Sequence, residues 1–208
     1  MLGGSQSSSR IVYFRIDVKS WAAKLPTVDE ARPGLCTGCG AGSRPAGGRL
    51  VLHGHGVRRR DQWGPPDATA PPQVTEVIAR RYACQVCGAV LLVVPSGVQR
   101  RRLYSAPAVA LALAVWSLEQ QTPAAVRARV SPWRIVGAAA ATRWTSLRRW
   151  AKAIRAGQLF PEVRAAPDGA CLRAIAARAA TTLAALAPSV ADGLPLATRA
   201  FLGAAHVS

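Results

Sequence analysis

Residues 10–94 contain short runs of β-branched and aromatic residues, separated by polar or proline-rich stretches. Runs of this kind between turn residues are typical of β-strands. The pattern predicts strands over residues 10–19, 49–60, 74–83 and 89–94. It also predicts a short helix over residues 20–25, ended by Pro26, and a loop over residues 61–73, which contain four prolines.

From residue 105 onward, apolar residues recur with the spacing of one face of a helix. The pattern predicts helices over residues 106–120, 123–130, 133–141, 146–156 and 170–186. Serine, threonine and aspartate side chains cap helix N-termini well. The expected caps are Ser105, Thr122, Ser131, Thr145 and Asp168. Cys171 is expected in the core, on the apolar side of the last helix, and residues 189–208 show no clear pattern.

Two C-x-x-C-G motifs, at residues 36–40 and 84–88, indicate a metal site. With two residues between them, both sulfurs of a pair can reach one tetrahedral ion at about 2.3 Å. The glycine that follows each pair permits a positive φ, so the backbone can fold over the sulfurs. We therefore expect one structural Zn²⁺ with four thiolate ligands, rather than disulfides, a redox motif or unrelated buried thiols. The expected ligands are Cys36, Cys39, Cys84 and Cys87.

His53 and His55 flank Gly54 on a predicted strand, just before three arginines. Alternate strand positions face the same side of a sheet, so these rings could replace a cysteine ligand or contact phosphate. Because four cysteines already complete a tetrahedral shell, we expect both histidines to be partly exposed strand residues.

The net charge of +17 arises from 27 basic and only 10 acidic residues. All but three of the basic residues are arginines, whose planar guanidinium suits phosphates and guanine edges. A GC-rich gene would favour arginine over lysine, but it does not explain the scarcity of carboxylates. The charge therefore indicates a polyanionic partner, and its spread over both halves of the chain indicates that both halves touch it.

The predicted helix after Thr145 separates apolar from basic positions. Its apolar face comprises Leu147, Trp150, Ala151 and Ile154. Basic residues occupy the other side, as in a DNA recognition helix, and residues 127–155 contain eight basic residues and no acidic one. The tryptophans at positions 133, 144 and 150 are expected in the core. The expected nucleic-acid contacts are Arg58, Arg59, Arg60, Arg100, Arg101, Arg102, Arg143, Arg148, Arg149, Lys152 and Arg155.

No catalytic set is visible in the sequence. A two-metal nuclease needs clustered carboxylates. The carboxylates of the helical half are widely spaced, at Glu119, Glu162, Asp168 and Asp192. Neither a G-x-S-x-G nor a G-x-x-x-x-G-K motif is present. We therefore expect a protein without enzymatic activity.

These motifs together resemble the front end of bacterial insertion-sequence transposases, a zinc ribbon followed by a helix-turn-helix, which related stand-alone proteins share. The resemblance rests on the two C-x-x-C-G motifs, on H-G-x-G-x-x-R-R at residues 53–60, on R-R-Y-x-C-x-x-C-G at residues 80–88 and on R-R-x-Y-S at residues 101–105. It covers half to three quarters of the chain and implies recognition of a DNA end or site. Transposition itself is not expected, because the chain stops where a catalytic domain would begin.

The expected fold class is α+β, with a small four-cysteine zinc-ribbon β domain followed by an all-α, helix-turn-helix-like domain. The expected domains are a disordered tail at residues 1–9, the zinc ribbon at residues 10–98, the helix-turn-helix-like domain at residues 99–160 and a C-terminal helix and tail at residues 161–208.

We expect a non-catalytic, zinc-stabilised protein that binds double-stranded DNA as a transposon protein or a regulator does. RNA binding is one alternative, in which Tyr82, Tyr104 or the tryptophans stack on bases. A protein-interaction adaptor of a mobile-element or defence complex is another, with the C-terminal helix docking a partner or a second copy. The most apolar run, residues 106–118, is shorter than the roughly 20 residues of a membrane span. No signal peptide is visible, so a cytoplasmic, nucleoid-associated bacterial protein is expected.

Overall fold

The computed structural model describes residues 10–99, 102–133 and 144–207. These residues form one four-stranded sheet and six α-helices, which confirms the expected α+β class. Among them, no helix combines the length and the apolar composition that a membrane crossing requires. The predicted tail at residues 1–9 and, apart from Trp133, the predicted helix over residues 133–141 lie outside the described residues.

The chain divides into two compact units. The first comprises Met1–Arg60 and Glu76–Ser96, and the second comprises Asp61–Thr75 and Gly97–Ser208. Residues 61–75, which the sequence places in the zinc-ribbon domain, therefore belong to the same unit as the helices of the second half. A backbone ladder explains this grouping, because the N–H and the carbonyl of Trp63 bond to residues 103 and 105 at 2.7 and 3.0 Å.

The strands are β1 (Arg10–Phe14), β2 (Leu52–Gly64), β3 (Gln73–Cys84) and β4 (Val90–Pro95). Their order in the sheet is β1-β4-β3-β2. β1 pairs with β4 in parallel, with Val12 opposite Val93, and β3 pairs with β4 antiparallel, with Arg81 opposite Leu92. Leu91–Val94 of β4 are buried, as is usual for an apolar strand that is covered on both faces.

The first helix, α1 (Val18–Ala23), begins earlier than predicted and shortens the first strand. The Asp17 carboxylate accepts a hydrogen bond from the Ser20 N–H at 2.9 Å, which is the usual capping contact at a helix N-terminus. Trp21 anchors the helix to the sheet, because its indole N–H donates to the Ile78 carbonyl at 2.8 Å. The predicted strand over residues 10–19 is therefore wrong beyond residue 14, where β1 ends.

The second unit is built around one apolar helix. Its helices are α2 (Ala106–Ser117), α3 (Pro123–Val130), α4 (Ser146–Arg155), α5 (Leu172–Ala185) and α6 (Leu196–Ala204). All residues of α2 except Pro107 are buried, because the other four helices pack against it. A helix that is hydrophobic all round belongs in such a central position.

Two of the predicted helix caps are confirmed. The Ser105 hydroxyl accepts a hydrogen bond from the Ala108 N–H at 3.1 Å, and the Thr122 hydroxyl accepts one from the Ala125 N–H at 3.2 Å. Thr145 precedes α4 as predicted, but its side chain makes no capping hydrogen bond.

The start of α5 differs from the prediction. Its cap is Cys171, whose sulfur accepts a hydrogen bond from the Ala174 N–H at 3.4 Å, and not Asp168. Gly169 has a φ of +80°, so the chain turns through the left-handed region there and the helix cannot begin one turn earlier. Cys171 is exposed, so its predicted place in the core is wrong.

The last helix, α6, lies in residues for which the sequence shows no clear pattern. It approaches α5 at Gly203, where an added Cβ would lie 1.8 Å from the Leu183 carbonyl oxygen. Only glycine permits so close an approach of two helix backbones. The approach is accompanied by burial of Ala200 and Ala204 of α6 in the core.

Candidate metal centre

The two C-x-x-C-G motifs form loops with the same hydrogen bonds, the first knuckle at residues 36–41 and the second knuckle at residues 84–89. In each, the N–H of the first cysteine donates to the carbonyl five residues later, and the glycine N–H donates back to the carbonyl of that cysteine. Both bonds are 2.8 Å long in the first knuckle and 2.9 Å long in the second. The repeated motif therefore makes a repeated loop.

Each knuckle contains a glycine in the left-handed region. The φ angle is +74° at Gly40 and +70° at Gly88, and a Cβ at either position would meet no atom within 4 Å. Their role is therefore conformational and not steric. Gly38 differs, because its N–H donates to the Cys36 sulfur at 3.3 Å, and a Cβ there would press on the sulfurs of Cys36 and Cys87 at 3.3 and 3.2 Å.

The four cysteine sulfurs form one group, the cysteine cluster, in which all four atoms lie within 4.8 Å of one another. The sulfurs of Cys36 and Cys87 are 3.7 Å apart, and those of Cys39 and Cys84 are 3.8 Å apart. A tetrahedral ion with metal–sulfur bonds of about 2.3 Å separates its ligands by about 3.8 Å. All four cysteines are free, so the cluster could hold a metal ion.

The sheet brings the two knuckles together. The second knuckle connects the end of β3 to the start of β4, and the Gln85 N–H within it donates to the Val51 carbonyl at 3.0 Å. The first knuckle is tied to β1, because the Arg10 guanidinium donates to the Thr37 carbonyl. Both loops are thus fixed by contacts beyond the cysteines themselves.

The thiols of the cysteine cluster differ in their affinity for protons. Burial raises the pKa of Cys84, but the N–H groups of Cys87 and Val86 and two neighbouring thiols outweigh burial and lower the pKa to about 7. The Ala41 N–H lowers the pKa of Cys39, but burial and the other three thiols outweigh that contact and raise the pKa to about 11. A metal ion must displace these protons, so its affinity rises with pH.

His53 and His55 lie outside the cysteine cluster. Both are exposed on β2, as predicted, and Nε2 of His53 is 2.8 Å from the Leu50 carbonyl oxygen. Within the described ranges, the cysteine cluster is the one group of three or more histidine, cysteine or carboxylate side chains that could share a metal ion.

The predicted phosphate contacts lie in different environments. Arg58 is exposed, whereas Arg59 pairs with Glu76 at 3.2 Å. Arg60 and Arg102 are half-buried, and burial lowers the pKa of each guanidinium, although such a group stays protonated at neutral pH. Three more of the predicted contacts, Arg100, Arg101 and Arg143, lie outside the described residues.

The α4 helix has the two faces that its sequence predicts. Its buried residues are Leu147, Trp150, Ala151, Ala153 and Ile154. Its exposed residues Arg148, Arg149 and Lys152, the basic face of α4, form no ion pair with any other described residue. Arg155 is also exposed, but its guanidinium donates to the Ala170 carbonyl and is thereby committed to the fold.

An aromatic cluster that the sequence does not reveal lies in the second unit. Its members are Trp63, Tyr104, Trp133, Trp144 and Trp150. Neighbouring rings meet edge to face, with centroids 5.2 to 6.1 Å apart. Trp150 is buried as predicted, but Trp133 is 55% exposed, so its predicted place in the core is wrong. The rings come from distant segments, and sequence spacing carries no signal for such a grouping.

No family model, curated protein or solved structure matches the chain. The resemblance to insertion-sequence transposases therefore stays a prediction that rests on the motifs alone. The geometry of the cysteine cluster and the placement of the exposed cations are the basis for a functional proposal.

Proposed function

We propose that the chain is a non-catalytic DNA-binding protein whose fold is stabilised by zinc. The basic face of α4 is the observation that carries the proposal. Its three cations, Arg148, Arg149 and Lys152, lie opposite a buried side, and α4 contains no acidic residue. A helix with one packed side and one cationic side can lie in the major groove and contact phosphates and base edges.

The net positive charge of both units also supports DNA as the partner. The first unit contains 12 basic and 4 acidic residues, and the second contains 15 and 6. Two of the four carboxylates in the first unit are already paired with arginines, namely Asp29 and Glu76. Exposed cations such as Arg58 are therefore available to phosphates, which would release counterions from DNA and favour binding.

The ion proposed for the cysteine cluster is Zn²⁺. Sulfur separations of 3.7 and 3.8 Å match a tetrahedral shell of four thiolates. Thiolates also favour zinc over magnesium or calcium. Four thiolates leave no open coordination position for a substrate, so the ion would have a structural role and hold the two knuckles together.

Metal analysis of the purified protein tests this assignment. The parent should contain one zinc per chain, and Cys84→Ser should lose it because a hydroxyl is a poor substitute for a thiolate ligand. Cys171→Ser is the matched control, since Cys171 caps α5, and it should retain the ion. A full complement of zinc in the Cys84→Ser protein would place the ion elsewhere.

The proposal extends to the architecture and the location. In it, β2, β3 and the two knuckles form a zinc ribbon, and residues 99–160 form a helix-turn-helix-like domain in which α4 is the recognition helix. Thiolate ligands persist in a reducing compartment, so the cysteine cluster and a DNA partner together support a cytoplasmic, nucleoid-associated protein.

Duplex binding across a salt series tests the DNA assignment. Each phosphate contact adds about −0.9 to the slope of log affinity against log salt. The Arg148→Ala/Lys152→Ala protein should therefore bind more weakly than the parent, with a slope shallower by about 1.8. Arg49→Ala/Arg164→Ala is the matched control, because it removes the same charge from two exposed positions outside α4.

The control distinguishes a specific face from diffuse charge. Equal losses in the two double variants would mean that the basic face of α4 has no special role, and unchanged binding in the α4 variant would remove it from the interface. Absence of duplex binding by the zinc-loaded parent would refute the proposed function.

A further inference from the structure

The aromatic cluster is unevenly exposed. Trp133 is 55% exposed, although its ring packs edge to face against Trp63 at a centroid distance of 6.1 Å. It is the most exposed of the six tryptophans, all of which lie in the described residues. A tryptophan that is held on one side presents its free surface to a partner at a low cost in side-chain entropy.

The ring beneath Trp133 is fixed by the backbone. The Trp63 N–H donates to the Leu103 carbonyl at 2.7 Å, and its carbonyl accepts from the Ser105 N–H at 3.0 Å. Tyr104, which lies between those two residues, packs its ring against Trp63 at 5.4 Å. The exposed Trp133 ring therefore packs against a ring, Trp63, whose position is fixed by contacts within the fold.

The same rings reach the buried side of α4, the helix that carries the basic face. The Tyr104 ring contacts Trp150 at 5.2 Å, and Trp150 directly follows Arg148 and Arg149 in α4. Three successive ring contacts thus link Trp133 to the helix that carries the exposed cations. An aromatic ring for bases together with cations for phosphates is the combination that binds single-stranded nucleic acid.

The other aromatic side chains of the described residues are buried or half-buried. Tyr82 is fully buried, and its hydroxyl donates to the Val28 carbonyl at 2.7 Å. Tyr104 is half-buried between the rings of the aromatic cluster. Trp21 and Trp116 are buried as well. Trp133 is therefore the most exposed aromatic ring among the described residues.

We propose that Trp133 stacks on an unpaired base of single-stranded DNA while the basic face of α4 binds phosphates of the same strand. This inference rests on the proposed DNA-binding function and narrows the partner to DNA with an unpaired stretch, such as a melted end. Bases in a duplex are stacked on one another, whereas an unpaired base offers a free face to an aromatic ring.

Titration with a single strand of about 12 nucleotides, a length within the range of one binding site, and with the matching duplex tests the proposal. Trp133→Ala should weaken single-strand binding by about 5- to 150-fold, the range for losing one base–aromatic stack. Duplex binding should change less than about twofold, because no stack is lost there. Val190→Ala is the matched control, since Val190 is an exposed apolar residue of the same unit.

Tryptophan fluorescence gives a second measurement that does not depend on the stability of the alanine variant. The single strand should quench the emission of Trp133 in the parent, and Trp133→Phe should keep most of the affinity while losing that quenching. Quenching that persists in Trp133→Phe would place the base on another ring and overturn the proposal.

Other outcomes of these measurements also test the inference. Unchanged single-strand binding by Trp133→Ala, an equal loss of single-strand and duplex binding, or tighter binding of RNA than of DNA of the same sequence would each overturn the inference. If the parent binds the duplex but not the single strand, the inference fails and the proposed function stands. If the parent binds the single strand alone and needs Trp133, the proposed duplex binding fails and the inference stands.

Discussion

The left-handed glycines of the knuckles allow a quantitative test of how the metal centre is built. Gly88→Ala places a side chain at a φ of +70° with no atom within 4 Å of its Cβ. The substitution therefore carries only the conformational penalty of an L-residue in the left-handed region, about 1–2 kcal/mol. If the metal-free knuckle relaxes, the penalty falls on the metal-bound state alone, and zinc affinity should drop by about 5- to 30-fold. Gly40→Ala should behave in the same way.

Competition with a chromophoric chelator at fixed pH measures the affinity, and Gly47→Ala is the matched control. Gly47 has a φ of +68° and equally open surroundings, but it lies outside both knuckles. Its replacement should reduce stability by a similar amount and leave zinc affinity unchanged. Gly88→Asn should fall between the parent and Gly88→Ala, because asparagine tolerates the left-handed region better than alanine.

Two results would refute this reasoning. Zinc affinity that is unchanged in both knuckle variants would show that the loops do not need their left-handed residues to bind the ion. An equal fall in Gly47→Ala would show that the affinity reports the stability of the whole first unit and not the conformation of a knuckle.

Two further predictions concern stability. Gly203→Ala should destabilise the protein by at least about 2 kcal/mol in denaturant unfolding, because its Cβ would lie 1.8 Å from the Leu183 carbonyl oxygen; a loss no larger than that of the open-space control Gly34→Ala would contradict the close helix approach. The free energy of unfolding of the metal-free protein should fall on both sides of pH 9.0, the ordinary thiol pKa. The pKa of Cys84 is lowered to about 7, so its contribution to stability is lost as the pH falls through 7. The pKa of Cys39 is raised to about 11, so its contribution is lost as the pH rises through 11. Unfolding across that range measures both limbs, and a flat profile would count against the thiol contacts.

The knuckles could be predicted because the conformation of each loop is defined by residues within it. Two cysteines, their spacing and one glycine define each loop, and both copies form the same hydrogen bonds. The caps Ser105 and Thr122 were predictable for the same reason, since a hydroxyl and the N–H three residues later are enough to start a helix.

Features that depend on distant contacts could not be predicted. The α6 helix has no side-chain cap, and it forms where Gly203 lets it approach the backbone of α5. The start of α5 shifted from Asp168 because Gly169 adopts a positive φ, which its neighbours in sequence do not dictate. The position of Trp133 depends in the same way on a partner ring, Trp63, that lies 70 positions earlier in the chain.

The separation of the two knuckles along the chain also determines how much later the second is synthesised than the first. Cys36 and Cys87, whose sulfurs meet in the folded protein, are 51 positions apart. At synthesis rates of about 5–20 residues per second, the first knuckle is made about 3 to 10 s before the second. Two thiols cannot complete a tetrahedral shell, so the proposed ion could be bound only after the second knuckle has been made. Until the second knuckle emerges, the thiols of the nascent chain are open to oxidants and to the wrong ion.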